Sequence, residues 1–280
     1  MVTVKIWGSR GSIPSPGAEK NKYGGNTSCV ELTYKDSCII LDGGSGIQKL
    51  GNEIGNKYKT INILLTHLHL DHIIGLGFFA PLYNPKMKIK IWGPAAVNES
   101  LTHRLRRYFS PPIFPVRLNE LPAEVDIIEI NDTKFNIDDF EVTAEYICHP
   151  GPTIGYRLKA GNAVIAYIPD HEPALASANF PYDPEWTSGF NIAQHADILI
   201  HDAQFKNNEY QSRLGWGHSS MKDALEFGKL AGVKKMIFFH HDPTHTDEEL
   251  QQLFANTIQY HNTDFEVELG EEGKSYILET

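Results

Sequence analysis

Short runs rich in β-branched and aromatic residues recur along the chain, each bounded by Gly, Pro, Asn or Asp. They predict strands at 2–7, 30–34, 38–41, 61–65, 88–92, 125–130, 140–148, 163–168, 198–200 and 236–239. Helical spacing appears later. Ser219 or Ser220 can cap a helix running to Leu230 and closed by Gly232. Thr246 with Glu249 forms a capping-box pattern ahead of a helix through about Tyr260, with Leu250, Phe254 and Ile258 as its apolar stripe. Strands alone at first, then strands with helices, predict an α/β fold of two packed sheets with helices outside. Residues 110–124 are Pro-rich and read as a long loop, either a pocket wall or a surface crossover. With no tandem repeat or linker, residues 1–280 read as a single domain.

Composition narrows the function. Hydrophobic residues are 41% and charged residues 21%, which excludes a disordered or fibrous chain. Lys and Arg number 25 against 35 Asp and Glu, a net charge of −10. Broad coating of nucleic acid or adhesion to an anionic membrane needs the opposite sign, although a local cationic centre can still attract an anion. No apolar run reaches the ~18–20 residues of a membrane span. The first residues alternate like a strand and lack the layout of a secretion signal. Three cysteines without metal spacing suit a reducing cytoplasm. The unusual count is 13 His, and it directs attention to metals.

The densest chemistry is Thr66-His67-Leu68-His69-Leu70-Asp71-His72, directly after an apolar strand. In an extended turn His67 and His69 point the same way. Asp71 and His72, opening the next helix, reach a neighbouring position, so one segment offers ligands to two metals. Four further strands end in ligand-type residues: His149, Asp170, His201-Asp202 and His240-His241-Asp242. Strand ends on one sheet edge converge on one crevice. His103, His195 and His261 fall outside the pattern and read as surface residues.

These segments resemble the metallo-β-lactamase superfamily, in its ribonuclease Z and phosphodiesterase branch. The likeness runs from Asp42 to Pro243 and includes Leu41-Asp42-Gly43-Gly44-Ser45-Gly46, the segment 66–72, and His149-Pro150-Gly151-Pro152-Thr153-Ile154-Gly155-Tyr156-Arg157. It continues in Ala166-Tyr167-Ile168-Pro169-Asp170, Ile200-His201-Asp202-Ala203, Gly217-His218-Ser219 and the strand before His240. The resemblance implies an αββα four-layer sandwich and two divalent metal ions per chain: zinc first, with manganese or iron also compatible. It implies that His67, His69 and His149 hold one ion, that Asp71, His72 and His240 hold the other, and that Asp170 bridges them. His240 takes the last place rather than His241 because it directly follows the Ala-Gly-Val-Lys strand. Asp42 is implied to hydrogen-bond a ligating imidazole. Asp202, where the branch carries Glu, is implied to orient a catalytic His218.

Ribonuclease Z enzymes carry a long tRNA-gripping arm between the third ligand segment and the bridging Asp. Here twenty residues lie between His149 and Asp170, and they read as two strands. With the acidic charge, this argues against tRNA. The expectation is a cytoplasmic, metal-dependent phosphodiesterase acting on a small anionic diester, such as a cyclic nucleotide or cyclic sugar phosphate. It has no membrane partner, and a homodimer is compatible. The competing readings are a ribonuclease Z-like RNA endonuclease, a β-lactam or thioester hydrolase without need of His218, and a metal-loaded nucleotide-binding module without turnover. A diiron redox role is disfavoured, because His69 stands where the flavodiiron branch resembles a carboxylate position. Two stretches could touch phosphate. One is Gly8-Ser9-Arg10-Gly11-Ser12-Ile13-Pro14, otherwise a tight turn. The other is His103-Arg104-Leu105-Arg106-Arg107, otherwise a solvated helix face.

Overall fold

Alternation in the first strand sets the layering. In β1 (Val2–Gly8), Val2, Val4 and Ile6 face one side and are fully buried, while Trp7 joins a different apolar layer. The computed structural model describes residues 1–55, 57–173, 177, 179–261 and 263–280. The first sheet contains β1, β2 (Cys29–Tyr34), β3 (Ser37–Leu41), β4 (Thr60–Leu64), β5 (Lys88–Pro94) and β6 (Glu124–Ile130). The second contains β7 (Thr133–Ile137), β8 (Phe140–Tyr146), β9 (Ile154–Ala160), β10 (Ala163–Ile168), β11 (Ile198–Asp202), β12 (Lys235–Phe239) and β13 (Glu266–Leu269). The final strand, β14 (Ser275–Leu278), returns to pair antiparallel with β1, so each sheet has seven strands. Both sheets are mixed: β3 to β6 and β10 to β13 run parallel, and the remaining pairs are antiparallel.

Helices cover the two outer faces. On the first sheet lie α1 (Ile47–Ile54), the single turn α2 (Leu70–Ile73) and α3 (Leu101–Tyr108). Ile47, Leu50, Leu101 and Leu105 pack there on Ile61, Ile63, Ile89 and Ile91. On the second lie α4 (Phe190–Ala193), α6 (Met221–Ala231) and α7 (Asp247–Tyr260), with the short α5 (Asn207–Tyr210) preceding α6 in the chain. Between the sheets, Val4, Ile6, Leu32 and Leu41 meet Tyr156, Ile165, Tyr167 and Phe239. The result is the αββα sandwich.

Ser220 caps α6, which ends at left-handed Gly232, and Thr246 with Glu249 closes a full capping box on α7. The segment after Ser110 departs from an unbroken loop: it includes a single turn at Leu118–Glu120, and β6 begins at Glu124. Among the described residues, no helix is long and apolar enough to cross a membrane.

Candidate metal centre

The site forms where strands end. β4 gives way at Leu65 and Thr66 to an extended turn, whose last residue, His69, is the N-cap of α2. β8, β10, β11 and β12 deliver His149, Asp170, Asp202 and His240 to the same rim. Two residues, Asp42 and His240, take left-handed backbone immediately after their strands, with φ of 60 and 58°. For residues other than glycine this costs about 1–3 kcal/mol each and persists only where the surroundings enforce it. Here it turns each side chain back into the site.

Potential ligand atoms fall into two groups sharing one carboxylate. His67, His69, His149 and Asp170 form one, and Asp71, His72, Asp170 and His240 form the other, with the atoms of each group within 4.8 Å of one another. Within the first, His149 Nε2 lies 3.1 Å from His69 Nδ1. Within the second, His240 Nε2 lies 3.1 Å from Asp71 Oδ2, and His72 Nε2 lies 3.0 Å from Asp170 Oδ1. A further grouping of Asp202, His218 and His240 adjoins the second.

Three of the imidazoles are aimed by their other nitrogen. His72 donates from Nδ1 to Asp42 Oδ2 at 2.8 Å, and His149 donates from Nδ1 to the Gly217 carbonyl at 2.7 Å. His67 Nδ1 meets Thr66 Oγ1 at 3.0 Å. Asp42 is itself fixed by the Thr66 amide and hydroxyl and by the Tyr167 hydroxyl. Such partners set the tautomer and leave the opposite nitrogen free to ligate.

The electrostatics of the first group match that use, whereas in the second the carboxylates hold protons on His72 and His240, which bound cations would displace. Burial holds His67 well below the ordinary imidazole range and His149 at about 4, so both are neutral, as a ligand must be. Burial also lowers His240, but Asp170 and Asp71 outweigh it and carry it to about 9. Burial raises the Asp170 carboxyl, but His240, His72 and His67 outweigh it and pull it well down. His67 Nε2 is buried with no hydrogen-bond partner, and His72 Nε2 and Asp170 Oδ1, although 3.0 Å apart, are not aligned for a hydrogen bond and have no other. Unsatisfied buried groups of this kind are costly, and divalent cations would satisfy all three. The donor set of imidazoles and carboxylates fits such ions.

Beside the centre, His218 Nδ1 lies 2.6 Å from Asp202 Oδ2. Asp202 is held by the backbone amides of His171, Gln204 and Ser219. His218 lines a recess with Ser12, His69, Asp71, Asp170 and His240, and its Nε2 has no partner among the described residues.

All seven expected ligands therefore meet at one rim, with Asp202 and His218 alongside. Of the adjacent pairs, Asp202 and His240 face the rim, while His201 and His241 turn away from it. His201 Nε2 meets His171 Nδ1 at 2.9 Å, its ring stacks on Phe227, and His241 Nε2 meets the Gly270 carbonyl. Alternation explains His201, because successive side chains along β11 face opposite sides. Arg10 does not reach the site either. It is fully buried and spends its guanidinium on the carbonyls of Gly24, Asp242 and His245 and on Asp247. The same turn does serve the centre through backbone: the Ser12 amide donates to Asp71 Oδ2 at 2.7 Å. A Cβ on Gly11 would come within 2.4 Å of the His240 ring, so only glycine fits there.

One supporting residue is not legible from spacing. Glu172 is 1% exposed, and its carboxylate accepts from Tyr210 and from the amides of Gly215 and Gly217. It thereby pins the loop that presents His218 and the Gly217 carbonyl. Only its position two residues after Asp170 could have suggested it.

Comparison with known proteins agrees with this geometry. The family profile described as "Beta-lactamase superfamily domain" matches residues 52–241. A ribonuclease Z from Haloarcula marismortui is 24% identical, with 85% of each chain covered. Among solved structures, the metallo-β-lactamase fold protein YhfI from Bacillus subtilis superposes with a TM-score of 0.72 at 18% identity, covering 98% of both chains. A diphosphatase from the PhnP family gives 0.71 at 19% identity, covering 100% of this chain and 98% of the other. Profile, relatives and fold together establish that the chain belongs to the metallo-β-lactamase superfamily and is a metal-dependent hydrolase.

Proposed function

We propose that residues 1–280 form one phosphodiesterase unit that uses two divalent cations to hydrolyse a small anionic diester, such as a cyclic nucleotide or cyclic sugar phosphate. The observation that carries this reading is the pair of four-residue ligand groups sharing Asp170, with His218–Asp202 at their edge. His67, His69, His149 and Asp170 would hold one cation, and Asp71, His72, Asp170 and His240 the other. When bound, such cations polarise phosphoryl oxygens and lower the pKa of water. Zinc is the first choice for this donor set, with manganese or iron compatible.

The chain's own residues supply the rest. Asp42, Thr66 and the Gly217 carbonyl keep three imidazoles in the ligating tautomer. His218 is assigned to proton transfer rather than to a metal because its Nδ1 is committed to Asp202 while Nε2 is free at the recess. From Nε2 it would protonate the departing alkoxide, and Asp202 would stabilise the imidazolium beforehand. General acid catalysis of this kind contributes typically ~100- to 10,000-fold. The free thiols Cys29, Cys38 and Cys148 suit a cytoplasmic setting.

The second reading, a ribonuclease Z-like endonuclease, is favoured by the curated relatives of that name. Against it, the chain between His149 and Asp170 is taken up by β9 and β10 and their short turn, which leaves no place there for an RNA-gripping arm. Turnover of a cyclic nucleotide compared with a precursor tRNA, under the same metal loading, separates the two. Preference for the cyclic nucleotide is expected, and preference for the precursor tRNA would replace the first reading with the second.

A further inference from the structure

A cleft of about 370 Å³ opens beside the metal centre, with His67 and His69 in its lining. Arg104, Arg107 and Tyr108 of α3 also line it, together with Leu70 and Ile113. The last two are large apolar side chains left 57% and 68% exposed, an unusual cost beside a polar centre unless something covers them. Ile113 comes from the Pro-rich segment, which thus serves as a pocket wall.

Neither guanidinium is used up. Arg107 gives one terminal nitrogen to Glu99, and its other nitrogens have no partner among the described residues. Arg104 gives one to the Pro94 carbonyl, and its buried Nε has none. The two sit one helical turn apart, facing the same cleft in a chain of net charge −10. This is a local reversal of sign next to the place where a diester phosphate would bind, and such a reversal concentrates anions. Arg's planar fork favours phosphate geometry.

We propose that this cleft is the substrate-selecting subsite, taking one ester arm with an apolar, planar body and a second phosphate beyond it, as in a nucleoside phosphorylated at both ends. The body packs on Leu70, Ile113 and Tyr108, and the second phosphate meets Arg107 and Arg104. The inference rests on the phosphodiesterase reading, whose reacting phosphate sits at the neighbouring centre.

The test is calorimetric binding of thymidine 3′,5′-bisphosphate and thymidine 5′-monophosphate to zinc-loaded protein, alongside turnover of bis(p-nitrophenyl) phosphate. The bisphosphate is expected to bind about tenfold more tightly, the worth of one charge-assisted contact at a partly exposed site. Arg107→Gln should abolish that preference. Arg106→Gln, on the same helix but lining a different depression with Lys90 and Asp126, should keep it. Equal affinity for the two nucleotides, or a preference that survives Arg107→Gln combined with Arg104→Gln, would overturn the proposal. A clear preference without diester turnover would leave the subsite standing and remove the phosphodiesterase reading. Turnover without preference would do the reverse.

Discussion

Asp202 Oδ2 and His218 Nδ1 are 2.6 Å apart, and three backbone amides fix the Asp202 carboxylate in that position. The Asp side chain, shorter than the Glu expected at this place, therefore still reaches its imidazole. The pair dictates which tautomer His218 adopts and hence which nitrogen faces the recess.

Asp202→Asn preserves size but removes the charge that stabilises imidazolium. For diesters with alkoxide leaving groups, kcat should fall by about 100-fold or more. For bis(p-nitrophenyl) phosphate, whose leaving group needs no proton, the fall should be several-fold at most. Steady-state kinetics across leaving groups of different pKa checks this. An equal loss for every leaving group would remove His218 from proton transfer.

Asp42→Asn should weaken metal binding by about 10- to 100-fold, because the His72 imidazole loses its anionic anchor. Competition against a chromophoric chelator measures it directly. Unchanged affinity would show that Asp42 serves only the fold.

Glu172→Gln leaves the Gly215, Gly217 and Tyr210 donors without an anionic acceptor and turns a non-accepting NH2 toward one of them. Breaking a charged, buried hydrogen bond costs about 1–3 kcal/mol, so the denaturant midpoint should fall. The loop carrying His218 should also exchange its amides faster, in the Gly215–Gly217 region above all. A lower midpoint with unchanged exchange there would assign Glu172 to global stability alone.

The metal-free protein should be most stable near neutral to slightly acid pH. Burial lowers His201 to about 4, and burial reinforced by Arg10 lowers His241 to about 3. A free imidazole titrates near about 6.5. As pH falls from that value the unfolded chain takes up protons that these folded imidazoles refuse, so stability present above it is lost toward 4 and below. His240 acts oppositely: raised to about 9, it contributes stability fully present below the free value and lost as pH rises through about 9. Urea titrations of chelator-treated protein should therefore show a maximum between two falling limbs. Stability rising steadily from acid to alkaline pH would contradict this.

Some of this was legible in the chain and some was not. The ligands were legible because metal chemistry constrains residue type at short spacing, as in residues 66–72, and because strand ends converge. The capped helices were legible from Ser220, Gly232, Thr246 and Glu249. Three strands were not: β7, β13 and β14 lie at sheet edges, are half exposed, and bury too few residues for a clear period. The helix α1 was hidden because Gly51 interrupts it and glycines flank it. Tyr167, Thr66 and Glu172 escaped notice as supports because their partners are brought together only by folding. His201 had suitable chemistry but the wrong face of β11, and Arg10 is claimed by the carbonyls of Gly24, Asp242 and His245, which only folding brings to it.

The central claim is that seven side chains on one rim hold a pair of cations that make the chain a phosphodiesterase. Its most direct test is hydrolysis of bis(p-nitrophenyl) phosphate by chelator-stripped, dialysed protein titrated with zinc or manganese. Turnover should be absent at first, rise with added metal and level off at two cations per chain. Full turnover in the stripped protein, or none at saturating metal, would contradict the account.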